Sequence, residues 1–121
     1  MATVRYIVDD TDAAVSFYVQ HLGFQLVTRM GPAFSMIAKE DLTVWISGPQ
    51  TSAARPMPDG RVPEPGGWNR FVIEVDDIEA VVASMKEGGV NFRNDIITGP
   101  GGKQIVAEDP SGNPIEVFQP A

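Results

Sequence analysis

The sequence predicts an α+β fold in which one β-α-β-β-β unit is used twice, and three observations carry that prediction. The tripeptide Val-Asp-Asp stands at residues 8–10 and again at 75–77, an offset of 67. Each copy follows a run of β-branched and aromatic residues and precedes a helical pattern stopped by glycine, and three further strand-like runs then complete the unit. Between the copies, residues 49–67 hold five of the ten prolines and read as an extended linker. The expected organisation is therefore a first module over 1–48, a linker over 49–67 and a second module over 68–121, with 121 residues suiting one compact domain.

In the first module, TVRYIV (3–8) is the opening strand, and Asp9 or Asp10 can cap a helix N-terminus. Ala13, Ala14, Phe17, Tyr18 and Leu22 recur at helical spacing, and Gly23 supplies the stop. FQLVTRM, AFSMIAK and LTVWIS are the next three strands. The second module repeats the order: RFVIEV, then Asp76 and Asp77, then a helix with Ile78, Val81, Val82 and Met85 on one stripe and Gly88-Gly89 at its end. NFRNDII, KQIVAED and PIEVFQ complete it. Neither module can bury a sheet face alone, which is the physical reason for a repeat.

Composition narrows the function classes. Apolar residues make up 43% and charged residues 21%, the balance of a globular chain. No run approaches the ~18 apolar residues of a membrane span, and Arg5, Asp9 and Asp10 interrupt any signal-peptide core, so a cytoplasmic, membrane-free protein is expected. Cysteine is absent, which removes disulfides, thiolate nucleophiles and Cys-bound zinc. A formal charge of -7 argues against nucleic acid as a partner. The single histidine, His21, lies near the end of the first helix and is expected to face solvent, so no Ser-His-Asp set is arguable. GPGGKQ (99–104) lacks the strand-loop-helix context of a phosphate loop and reads as a hairpin or a mobile loop, and the SGN of DPSGNP reads as a turn.

With FYVQHLGF closing the first helix and DPSGNPIEVF at the end, the doubled unit resembles the vicinal oxygen chelate superfamily, which includes glyoxalase I, the bleomycin resistance proteins and the extradiol dioxygenases. The resemblance implies that the modules form a curved, cup-shaped mixed sheet with the helices outside, and that chains pair as homodimers. In the metal enzymes of that group, ligands come from the first and last strand of each module, usually as His and Glu. The corresponding positions here are Thr3 and Trp45 in the first module, and Arg70 and Glu116 in the second. Glu116 alone suits a metal. A guanidinium and an indole offer no free lone pair and a threonine hydroxyl is a poor donor, so neither a metal nor another cofactor is expected.

Strand parity then sends Thr3, Arg5 and Ile7, Thr43, Trp45 and Ser47, Arg70, Val72 and Glu74, and Glu116 and Phe118 into the cup. Buried charges need partners, so Arg70 and Glu116 are expected to form an ion pair where the enzymes keep a metal. The expected ligand site comprises Thr3, Arg5, Phe34, Met36, Trp45, Trp68, Arg70, Glu74, Glu116 and Phe118. In it Trp45, Phe34 and Phe118 stack a guest, Glu116 and Glu74 attract positive charge, and Arg5 or Arg70 anchors a carbonyl or carboxylate. Trp68 stands at the entrance or at a dimer contact. The functional expectation is a metal-independent small-molecule binding protein of the bleomycin resistance type, which sequesters a planar or cationic aromatic compound. The alternative is a glyoxalase-like lyase, isomerase or dioxygenase, metal-dependent or cofactor-free; in the cofactor-free case Glu116, or Glu74, is the candidate general base.

Overall fold

A computed structural model describes residues 2–121 and divides the chain into two compact units, Met1–Gly66 and Gly67–Ala121. The first unit runs β1 (Ala2–Ile7), α1 (Thr11–Leu22), β2 (Gln25–Met30), β3 (Phe34–Lys39) and β4 (Leu42–Ser47), with a 3-10 turn at Ser52–Ala54. Its four strands lie in the order β1-β4-β3-β2. The first strand pairs parallel to the last, and the remaining pairs are antiparallel.

Helix α1 begins where the Asp10 carboxylate accepts the Ala13 N–H at 3.1 Å and ends where Gly23 turns left-handed at φ 73°. One stripe, Thr11, Ala14, Phe17, Tyr18 and Leu22, is buried. Tyr18 meets Tyr6, Phe17 and Phe24 edge-on at centroid distances of 6.5, 5.0 and 5.6 Å, so the helix is seated on one sheet face by aromatic contacts. Ile37, Val44 and Ile46 are fully buried in this unit. On β2 the pairing with β3 slips between Leu26 and Thr28, leaving Val27 as an extra residue, and all six residues of the strand are exposed.

The second unit runs β5 (Val72–Glu74), α2 (Ile78–Glu87), β6 (Asn91–Phe92), β7 (Ile97–Gly99), β8 (Gly102–Glu108) and β9 (Pro114–Pro120). The strand order is β5-β9-β8-β6, with β7 also on β8. Asp77 caps α2 through the Ala80 N–H at 3.1 Å, and Ile78, Val82 and Met85 are its buried stripe. Gln119 Oε1 accepts the Ile78 N–H at 2.9 Å, tying the helix start to β9. Lys103 Nζ bonds Glu79 at 2.7 Å from β8 and holds that carboxyl below its ordinary value, so this link is present above the carboxylate range and fades as pH falls through it.

The single strand expected over 91–97 is instead two short pieces against β8. Between them the Asn94 side chain accepts the Val106 N–H at 2.9 Å, a bond that a continuous ladder would have given to backbone. The hairpin expected from GPGGKQ joins β7 to β8, and at Gly102, φ 143°, a Cβ would collide with the Gln119 carbonyl oxygen. The turn before β9 is organised by buried Asp109, whose carboxylate accepts the N–H groups of Ser111 and Asn113, each at 2.9 Å.

Candidate functional site

Register decides which side chains of the first unit share the face turned away from α1. Thr3 lies beside Thr43, Arg5 beside Trp45 and Ile7 beside Ser47 on the parallel pair, while Met36 and Phe34 lie beside Trp45 and Ser47 from β3. Five of these make a cluster. The Arg5 guanidinium carbon sits 4.9 Å from the Trp45 ring centroid, its Nη1 donates to Ser47 Oγ at 3.1 Å, and Phe34 meets Trp45 edge-on at 6.1 Å, with Met36 alongside. Ser47 is fully buried, Arg5 is exposed and the two aromatic rings are half-buried. Among the described residues no carboxylate forms an ion pair with Arg5.

Thr3 is exposed and stands two residues away from the Arg5 and Trp45 pairing. The aligned positions Thr3 and Trp45 are therefore not register neighbours; Arg5 is the first-strand residue that meets the indole. A parallel strand pair staggers equivalent positions, and sequence spacing within one strand does not reveal that stagger.

In the second unit, Arg70 donates from Nε and Nη2 to Glu116 Oε1 at 3.1 and 2.9 Å and from Nη1 to the Trp68 carbonyl at 3.3 Å. The two side chains retain 26% and 13% of their exposure, so the pair is mostly but not wholly withdrawn from water. Glu74 lies beside Phe118 in register and is exposed, and Phe118 is half-buried.

A second arginine runs parallel to this arrangement. Arg93 donates from Nε to Glu108 at 2.8 Å, from Nη1 to the Gly67 carbonyl at 2.6 Å and from Nη2 to the Gly112 carbonyl at 2.9 Å. Its guanidinium carbon also lies 4.5 Å from the Trp68 ring centroid, while Trp68 keeps 69% of its exposure. Two arginines, each neutralised by its own glutamate, thus hold successive carbonyls at residues 67 and 68 and fix the approach to β5.

Arg93 and Glu108 are absent from the site expected on sequence, and Ser47 was placed on the cup face by parity without a role in the ligand site. Parity along β8 placed Glu108 in phase with Val106, the register neighbour of Glu116, and could have flagged it; nothing local marks Arg93. His21 does not project into solvent as expected. It is half-buried, with its ring 5.5 Å from Phe17, because the last turn of α1 lays it along the aromatic stripe.

These donor sets do not fit the metal of the related enzymes. In the first unit the aligned positions offer a hydroxyl and an indole, and in the second the one carboxylate is already bonded to a guanidinium. No three His, Asp or Glu side chains gather in a metal-binding group among the described residues. No helix among them is long and apolar enough to cross a membrane.

A sequence profile described as the Glyoxalase/Bleomycin resistance protein/Dioxygenase superfamily matches residues 1–117. The chain belongs to that superfamily. Among solved structures it resembles a superfamily member from Sphaerobacter thermophilus DSM 20745, at 26% identity and a TM-score of 0.76, covering 98% of this chain and 95% of that one. It also resembles TnmS3, an antibiotic binding protein from Streptomyces sp. CB03234, at 25% identity and a TM-score of 0.73, covering 98% and 93%. Lactoylglutathione lyase from Agrobacterium tumefaciens shares the fold at 20% identity and a TM-score of 0.76, covering 98% and 92%. The comparison with curated proteins returns no match.

Proposed function

We propose that this protein binds a planar aromatic small molecule without a metal and sequesters it unchanged, working as a homodimer. The observation that carries the reading is the cluster of Trp45, Phe34 and Arg5 on one face of the first sheet, in which Trp45 stands at a position that the family resemblance aligns with a metal ligand. The similarity to an antibiotic binding protein supports the same direction. A guest hiding roughly 100 Å² of apolar surface gains only about 2.5 kcal/mol. Micromolar affinity needs about 8 kcal/mol, so stacking must be joined by further apolar burial and directed polar contacts. Arg5 provides an exposed guanidinium on the same face, held there by buried Ser47, whose Oγ accepts from Nη1.

Tryptophan fluorescence tests the proposal. Titrating neutral, cationic and anionic bicyclic aromatics in EDTA should give saturable quenching that added Ni²⁺ or Mn²⁺ does not strengthen. Quenching that appears only with the divalent ion, or turnover of the guest, would replace sequestration by metal-assisted chemistry.

A further inference from the structure

The face of the first unit carries an asymmetry that composition hides. Among the described residues Arg29, Arg61, Arg70, Arg93 and Lys103 each form a salt bridge with an acid and Arg5, Lys39, Arg55 and Lys86 form none; of these four, Arg5 is the one set over the Trp45 indole and bonded to the Ser47 hydroxyl. Its Nε and Nη2 groups make no hydrogen bond there. Of the two carboxylates expected to draw in a cation, Glu116 is bonded to Arg70, and Glu74 is exposed on β5 of the second unit. We infer that the ligand of this face is a planar aromatic anion, such as an aryl carboxylate, with its ring on the Trp45, Phe34 and Met36 surface and its charged oxygens on the unoccupied edge of the Arg5 guanidinium.

This rests on the binding reading above and adds the sign of the ligand's charge. The chemistry is that of a planar fork: a carboxylate bonds a guanidinium in plane, which sets the attached ring in the same layer, above the aromatic and thioether surface. Ser47 Oγ, accepting from Nη1, and the indole beneath keep the fork oriented before any guest arrives. The net charge of -7 opposes an anion at long range. At physiological salt, exposed charges more than about 8 Å away are screened, so the contact guanidinium decides.

Three probes with one ring and different heads separate the possibilities: 2-naphthoate, 2-naphthamide and 2-naphthylmethylammonium, measured by equilibrium dialysis in EDTA and about 150 mM salt. Charge-assisted bonding should make naphthoate bind about tenfold to a hundredfold more tightly than naphthamide. Arg5→Gln should cost naphthoate more than the amide and close the gap between the two to about twofold, while Arg5→Lys should retain part of the preference. The indole N–H signal of Trp45, told from that of Trp68 with the Trp68→Phe variant, should shift on binding. If the ammonium binds as tightly as the carboxylate, or Arg5→Gln leaves naphthoate unaffected, the anion assignment is wrong and the binding reading stands. If none of the three binds, both go. Should Arg5→Gln fail to fold, the head-group series on the unaltered protein and Arg5→Lys still decide.

Discussion

Glu116 has its closest opposite charge in Arg70, and the cost of separating them depends on how far each is withdrawn from water. A fully buried charge left alone costs about 3–5 kcal/mol, but the residual exposure of both side chains lets water compensate in part. We therefore expect Arg70→Ala to lower stability by about 2 kcal/mol, which includes the lost bond to the Trp68 carbonyl. Glu116→Gln should cost less, because both N–H groups donate to one oxygen, Oε1, and an amide oxygen in its place still accepts them without the charge. Denaturant midpoints with unchanged slopes would show this; an Arg70→Ala midpoint equal to that of the parent would mean that water replaces the pair completely. At this scale the Arg70 and Glu116 contact was legible, because an acid inside PIEVF demands a partner and the repeat put an arginine on the neighbouring strand. The Arg93 contacts were not, since they run to carbonyls of residues 67 and 112, which no local pattern links to residue 93.

Among the elements, the two helices show the clearest agreement between sequence and structure. Each starts at the second aspartate of a Val-Asp-Asp, whose side chain accepts the N–H three residues on. Asp10→Ala and Asp77→Ala should each destabilise by about 1 kcal/mol, and serine at either place should recover most of it. Faster amide exchange in the first turn of the affected helix alone would locate the effect; exchange rising equally everywhere would mean the cap acts on global stability only. The second strand of the second module was less legible. NFRNDII has strand-forming ends, but the polar centre yields Asn94 to the Val106 N–H and turns Arg93 toward Glu108. Side-chain competition with the ladder is invisible to a period-2 pattern. The bulge at Val27 is hidden for the same kind of reason, because an extra residue in one strand appears only once its partner's register is known.

For the whole molecule, the doubled plan follows from the repeat, while the strand order within each sheet is seen only in the structure and the identity of the guest depends on side-chain contacts such as that of Arg5 with Trp45. The outermost strand β2 exposes Leu26, Val27 and Met30, and Val72 is exposed on β5 at the border of the other sheet. Apolar side chains at sheet borders favour contact with another chain. Sedimentation equilibrium at tens of micromolar should give twice the 13.1 kDa chain mass and fall toward that mass on dilution. A single 13.1 kDa species at every concentration would leave the dimer without support.

The extra residue at Val27 bears on how such contact is limited. A flat, regular border can add copies of itself indefinitely, since each newcomer presents the template for the next. A border with one supernumerary residue is kinked and more strongly twisted, so its donors and acceptors fall out of step with any straight neighbour. It can accommodate a single partner shaped to match and gives poor footing to fibril growth.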